Sequence, residues 1–269
     1  MLISAAFVMC AYAKKKPLVL DTTKVVAYYD EAWTFDTLKK EVRKDLIMLE
    51  VGNKISKSVS YYSAQMDSLK STAKGRKYMD QVNSAAWARR DFEGGFHYRS
   101  HCYIYKDYPE VGKMKVTDFI MVADFTYEDS MNAQQWVIRD STKEIKGIQA
   151  QLAECDFRGR HWIAWFAPSI AIMNGPWKFS GLPGLILDVE DSKKEYVFKF
   201  SGLKNIHRPI VFSNPRDSKT FEPTTRLKFL QQYAETWLHH SHSKLVEATG
   251  IDLGDKDHDA HYDLIEKDY

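Results

Sequence analysis

The sequence predicts a mainly β (α+β) fold: a strongly curved antiparallel sheet, or half-barrel, covered by one or two helices and followed by a C-terminal helix. Three observations predict it. From residue 24 to residue 200, most runs alternate β-branched or aromatic residues with polar ones, with turn residues between them. The run 160–167 is apolar on both faces, with Trp162, Ala164 and Phe166 on one side and Ile163, Trp165 and Ala167 on the other, whereas 196–201 is apolar on one face only. A curved sheet whose concave side is filled accommodates both patterns. Finally, the alternation stops between 63 and 90, where good helix formers take over.

In chain order, residues 1–13 form a short apolar run ending in Ala11-Tyr12-Ala13, the small-x-small pattern of a signal-peptide cleavage site. The run is too short to span a bilayer, so no transmembrane span is expected in the mature chain. No Lys or Arg precedes it and Lys14-Lys15-Lys16 follow it, which points to a start assigned too far downstream. Cys10 raises a lipid anchor, but Val8-Met9 lacks the small residue such a site prefers. Export places the mature chain in the periplasm or in association with the outer membrane.

Residues 14–250 then read as one domain, without repeats or a Pro/Ser/Gly-rich linker. Strands are expected over 24–35, 45–51, 57–62, 97–105, 114–126, 135–140, 148–153, 160–167, 185–189 and 196–200. One or two helices fall within 63–90, marked by Leu69, Ala73, Met79 and Val82 and broken near Gly75. After Pro223, residues Leu227, Leu230, Ala234, Trp237 and Leu238 recur at intervals of three and four, with Thr224 or Thr225 as N-cap and Gly250 as a stop. Residues 251–269 are polar and Asp-rich, and read as a flexible acidic tail.

With 38 Lys+Arg against 36 Asp+Glu, the net charge of +2 argues against nucleic-acid binding. The basic cluster Lys70, Lys74, Arg76, Lys77, Arg89 and Arg90 reads as a solvated helix face. After cleavage only Cys102 and Cys155 remain, so one disulfide or two thiols are the alternatives in an oxidising compartment.

The densest run is 175–187, Gly-Pro-Trp-Lys-Phe-Ser-Gly-Leu-Pro-Gly-Leu-Ile-Leu. Gly175-Pro176 and Leu182-Pro183-Gly184 are turn dipeptides framing a loop, and Leu185 opens a strand. The loop either fixes the sheet or brings backbone close to a ligand; it lacks the spacing of a phosphate loop. Upstream stand Trp136, Lys143-Glu144-Ile145-Lys146-Gly147, Gln151, Ala153, Phe157-Arg158-Gly159-Arg160 and Ala164-Trp165-Phe166; nearer the start are Ser56-Lys57-Ser58, Tyr62-Ser63 and Asp67-Ser68. Together these resemble the GLPGLI family of exported envelope proteins, over residues 24–230. The one departure is Ile148, where many members carry an aromatic. The resemblance implies an envelope location and no defined reaction.

Trp162, Trp165, Phe166, Trp177 and Phe179 crowd one short stretch, as in a core or a binding cleft. Arg160 and Lys178 flank it, so ligand- or partner-binding candidates are Arg160, Trp162, Trp165, Trp177, Lys178, Gly181, Pro183 and Gly184. A cationic rim beside aromatics suits an envelope protein, peptide, glycan or lipid partner. No Gly-x-Ser-x-Gly, His-Glu-x-x-His, Walker or Cys-x-x-Cys motif is present, and Ser201-Gly202-Leu203-Lys204 lacks the companions of a Ser-x-x-Lys acyl enzyme. His97 and His101, near Cys102, and His239 and His242 have ligand spacing but no local third ligand, and His258 and His261 lie in the acidic tail. No catalytic residue, metal or cofactor is assigned. The sequence thus favours a non-catalytic binding protein of the envelope, with a hydrolase built from scattered residues or a metal-binding protein as alternatives.

Overall fold

The structure, a computed structural model, describes residues 17–91, 94–214, 220–252, 254, 256–257 and 259–269. The expected signal peptide with Cys10 lies outside the described residues, as does His258. The sheet begins with β1 (Val19–Thr22), which pairs with β13 (Pro209–Val211) apart from the rest. A long antiparallel meander follows: β2 (Val25–Asp36), β3 (Glu41–Val51), β4 (Ser56–Ser60), β5 (Tyr103–Lys106), β6 (Lys113–Ile120) and β7 (Ala123–Ser130).

Between β4 and β5 stand helices α1 (Tyr61–Ser71) and α2 (Ala73–Ala88). The break falls at Thr72, whose hydroxyl accepts from the Gly75 N–H at 3.0 Å and so caps α2. Ser60 caps α1 in the same way.

A second meander contains β8 (Val137–Ile145), β9 (Ile148–Phe157), β10 (Arg160–Ala167), β11 (Leu185–Asp191) and β12 (Tyr196–Asn205). Arg158 and Gly159 both have positive φ, 56° and 76°, which is the two-residue hairpin geometry that matches strand twist between β9 and β10. The two meanders join where β12 pairs with β2, from Tyr196 opposite Trp33 to Asn205 opposite Val25. With the short parallel strand β14 (Glu222–Pro223) on β7, the result is one twelve-stranded sheet that does not close.

The C-terminal helix is observed as α3 (Arg226–Ala234), capped by Thr225 as expected, then a π turn over Glu235–His239 and α4 (Ser241–Thr249), with Gly250 at its end. Two expected strands changed. The run 114–126 is a hairpin, β6 and β7, turning at Met121-Val122; of 97–105 only the last residues pair.

The sheet curves around the loop 168–184 between β10 and β11. Side chains from β2, β10 and β12, including Tyr29, Trp162 and Phe198, pack on Phe179 and its neighbours to form the larger core cluster. Across the same concavity, Ile104, Met114, Val116 and Tyr127 pack with Phe229, Leu230 and Ala234 of α3, and Trp177 touches both clusters. A smaller cluster on the convex side joins Val26, Met48, Val59, Tyr103 and Tyr105.

Residues 259–269, the end of the segment read from sequence as a flexible tail, pack against the body. Leu264 is buried against the α3 cluster and Ile265 packs on the larger core. Glu266 is 2 % exposed and pairs with Lys178 and Arg226. Two apolar residues beside a carboxylate with buried cationic partners gain enough contact to hold the segment down. Cys102 and Cys155 are free thiols, one in each cluster, so the bridge considered from sequence is not formed.

Candidate functional site

The dense loop fills the concavity, and a polar frame holds it there. Lys106, fully buried in β5, donates from Nζ to Asn174 Oδ1 (2.8 Å), Gly175 O (2.8 Å) and Phe179 O (2.6 Å). On β4, alternate serines face the loop: Asn174 Nδ2 donates to Ser56 Oγ (2.7 Å) and the Trp177 N–H to Ser58 Oγ (2.9 Å). Gln134 brackets the other side, donating to Lys178 O and accepting from the Ser180 N–H, while Trp136 Nε1 donates to Ser180 O. These contacts satisfy backbone groups that would otherwise be stranded in the interior.

Within that frame the aromatic cluster is core. Trp162 and Phe179 meet edge-on with centroids 4.7 Å apart, and Trp177 lies 5.1 Å from Phe179. Of the eight binding candidates, Arg160, Trp162, Lys178 and Gly184 are buried and Trp165 and Trp177 half-buried, while Gly181 and Pro183 are exposed. Trp162 and Lys178 are enclosed by the loop and the strands around it, so of the aromatic run only parts of Trp165 and Trp177 meet solvent. Trp165 faces the other side of β10 and carries Lys143 Nζ 4.3 Å over its ring.

Arg160 and Lys178 do form a charged centre, but an internal one. Arg160 pairs with Asp191 (2.9 Å) and Glu195 (2.7 Å) and donates to Leu264 O and Ile265 O. Lys178 contacts Asp129 (2.9 Å) and Glu266, Arg158 contacts Asp129, and Arg226 spans Glu266 and Asp268.

Titratable groups elsewhere are displaced by burial. Glu31 on β2 stands opposite Asp45 on β3, and burial, then the Asp45 charge, pushes its carboxyl up to about 8 from 4.5. Burial also raises Asp45, against a hydrogen bond from Ser60. Asp118 is pushed up to about 7 by burial, against the Phe119 N–H and the Cys102 thiol, and burial raises that thiol well above its usual range. Such a thiol is a poor nucleophile.

The folded chain holds the Glu31 proton where the unfolded chain has lost it, so this group's stabilising effect falls as pH rises from about 4.5 to about 8. Glu31→Gln is therefore expected to raise the melting temperature at pH 8 and leave it unchanged at pH 4. An equal shift at both pH values would exclude a protonated Glu31.

His239 and His240 stand side by side with ring centroids 6.4 Å apart, while His97, His101 and His161 lie apart from them. His97 Nδ1 contacts Gly95 O, His101 lies between the rings of Tyr98 and Phe119, and His161 and His239 pair with the exposed Asp156 and Asp259. Among the described residues no group of three or more His, Cys, Asp or Glu is arranged to hold a metal ion. Among them, too, no helix is long and apolar enough to cross a membrane.

Two open concave features among the described residues lie on the helical hairpin: a broad shallow one along α2, lined by Ala73, Arg76, Lys77, Asp80, Gln81 and Ser84, and a narrower one. A cleft of about 210 Å³ between α1, α2 and the loop 94–99 is lined by Tyr62, Val82, Phe96, His97 and Arg99, with Gln65 at its side. Asn83 builds one wall by accepting from the Phe96 N–H (2.7 Å) and donating to Phe96 O (3.2 Å). The Arg99 guanidinium sits 5.6 Å from the Tyr62 ring centroid. Residues 61–99 carry seven Lys/Arg and four Asp/Glu, more positive charge than the whole chain's +2. Sequence reasoning assigned six of these cations, all but Arg99, to a solvated face and missed the cleft, because Tyr62 and Arg99 are far apart in sequence and meet only once the hairpin folds back.

Residues 111–188, from the start of β6 into β11, match the profile of a family described as "Protein of unknown function (Porph_ging)". No curated protein matches the chain significantly. A crystal structure of PNGF-II in space group P21 superposes with a TM-score of 0.50 at 9% identity, covering 82% of this chain and 34% of that one. This chain therefore spans about a third of PNGF-II. A putative outer membrane lipoprotein-sorting protein domain from Vibrio parahaemolyticus aligns over 68% of this chain and 85% of its own at 8% identity, with a TM-score of 0.22, too low for a shared fold. At 9% identity the PNGF-II likeness concerns the fold alone: the curved sheet recurs there as part of a longer chain.

Proposed function

We propose that this chain is an exported, non-catalytic partner-binding protein of the cell envelope, of the GLPGLI type, and that it recognises an acidic peptide segment of another envelope protein through the hairpin cleft. Export rests on the apolar run ending in Ala11-Tyr12-Ala13, and the GLPGLI assignment on the motifs from Ser56 to Leu187. The observation that carries the reading is the cleft itself: walls from Tyr62 and Phe96 with Arg99 among the lining residues, on a hairpin of net positive charge. Aromatic rings offer apolar contact at low entropic cost, and a guanidinium pairs a carboxylate through two parallel hydrogen bonds. The sheet's concavity is occupied by the chain's own loop, which supports a recognition surface outside it.

Selection of displayed acidic, neutral and basic peptides on the purified chain tests this. Acidic peptides are expected to be enriched, with binding weakened by salt and lowered by roughly tenfold, about 1.4 kcal/mol, in Arg99→Glu. Equal recovery of neutral peptides, or unchanged affinity in the variant, would sink the proposal.

A further inference from the structure

Lys178, Asp129 and Glu266 bring one amine and two carboxyl groups into contact where little water reaches. The side chain of Lys178 is fully buried, that of Glu266 is 2 % exposed and that of Asp129 7 %. Lys178 Nζ donates to Asp129 Oδ2 (2.9 Å) and to Glu266 Oε1, and it lies 5.1 Å and 5.6 Å from the ring centroids of Tyr127 and Trp177.

The amine and the carboxyl group of Glu266 come from distant parts of the chain, and the backbone at each is pinned. Lys178 O accepts from Gln134 Nε2 (2.8 Å). On either side of Glu266, Arg160 donates to Ile265 O (3.1 Å) and the Lys267 N–H donates to Arg158 O (2.9 Å). Two reactive groups held together in this way gain most over the same groups free in solution.

Glu266 is held unevenly. Its Oε1 faces the amine, whereas Oε2 accepts from Arg226 Nη1 (2.8 Å) and lies 3.5 Å from Arg158 Nε. That Nε is buried without a hydrogen-bond partner among the described residues, although buried polar groups are normally satisfied. A salt bridge alone gives this donor no role. Negative charge developing on Oε2 does, because donors placed where charge forms stabilise a transition state.

We propose that Lys178 and Glu266 condense into an intramolecular isopeptide bond, with Asp129 carrying the proton. Lys178 Nζ gives one proton to Asp129 Oδ2, and the freed electron pair attacks Glu266 Cδ. Charge in the tetrahedral intermediate rests on Oε2, beside Arg226 and Arg158. The Cδ–Oε1 bond then breaks, and Oε1 leaves as water with the proton returned by Asp129 and a second one from Nζ. An ammonium and a carboxylate become an amide and a water, and no external reactant is needed. The amide oxygen stays with Arg226, the amide N–H faces Asp129, and the cost of burying one ion pair is removed.

The bond ties the C-terminal segment to the loop, in a chain whose Cys102 and Cys155 are free thiols. It shares no residue with the hairpin cleft, so this proposal and the partner-binding reading fail separately.

Mass spectrometry of the folded wild-type chain and of Lys178→Arg, prepared alike, tests the bond. After allowance for the substitution, the wild type is expected to be lighter by one water. Trypsin, which does not cut after an acylated lysine, is expected to release a branched peptide joining Lys178 to Glu266. A wild-type chain that lacks this peptide and is cut after Lys178 overturns the proposal, as does a lost water that fragment spectra place elsewhere. This peptide map decides the bond by itself if a variant does not fold. Asp129→Asn keeps the size of the side chain and removes the proton carrier; followed over time in cell-free synthesis, it is expected to reach the lighter mass roughly a hundredfold more slowly. An unchanged rate in an Asn variant that melts cooperatively overturns the role of Asp129.

Discussion

Lys106→Ala is expected to cost about 3–5 kcal/mol of folding stability, from stranded buried acceptors at roughly 1 kcal/mol or more each and from the cavity left behind. Three acceptors, Asn174 Oδ1, Gly175 O and Phe179 O, converge on this single ammonium in a fully buried position. Removing it strands all three and opens a cavity beneath the loop. Lys106→Met keeps the stem and deletes only the donors, so it isolates the polar part and should retain more than half of the loss. Urea unfolding of the two variants checks this; a Met variant as stable as wild type would mean that the frame does not hold the loop.

The same lysine carries a pH signature. Burial pulls its ammonium well below the usual range, so over that interval the unfolded chain binds the proton more tightly. Stability from this group therefore rises with pH across the interval, and the Met variant should lose that slope.

Gly184→Ala is expected to be about as damaging, at roughly 3–6 kcal/mol, from strain and overpacking together. The residue has φ of +156°, and a Cβ there would stand 2.2 Å from Ala167 O and 2.6 Å from Ala167 C. Those atoms are backbone at the end of β10 and cannot swing aside. Gly181 is the internal control: its φ is +88°, but the nearest atom to an added Cβ is Trp136 Cδ1 at 3.9 Å. Gly181→Ala should cost about 1 kcal/mol, the backbone effect alone. Equal losses at the two positions would show that crowding at Ala167 is not what the glycine of the Leu-Pro-Gly turn answers.

Much of the sheet was legible because period-two alternation marks a half-buried strand regardless of its neighbours. The hairpin at Met121-Val122 was missed for a local reason. Met121 takes a positive φ of 55° without being Gly, Asn or Asp, so the turn has no compositional mark. The C-terminal helix and its cap, read as Thr224 or Thr225, followed from ordinary capping chemistry, whereas the cap at Thr72 was not read and the break was expected near Gly75.

The candidate site was less legible. Dense aromatics look alike in a core and in a cleft, and what decides between them is whether another part of the chain covers them. That cover is signalled weakly, by Lys106 ending a short Tyr-Ile-Tyr strand and by Leu264-Ile265 inside an acidic segment. A lysine at the end of an apolar strand has meaning only when its acceptors, here some seventy residues away, are known.

The join between the two meanders bears on how the molecule folds. Most strand pairs within the two meanders are near neighbours in sequence and close small loops, the exception being β4 with β5, which have both helices between them. The pairing of β2 with β12 is different, since it brings Val25 to Asn205. During synthesis β2 has β3 on one side and an open edge on the other until residue 205 has emerged, and an open edge of that length is a template for wrong partners. Completing this seam is the late step that turns two independent ribbons into one body, and a chaperone that shields the free edge of β2 would act on the interval in which the chain is most exposed to aggregation.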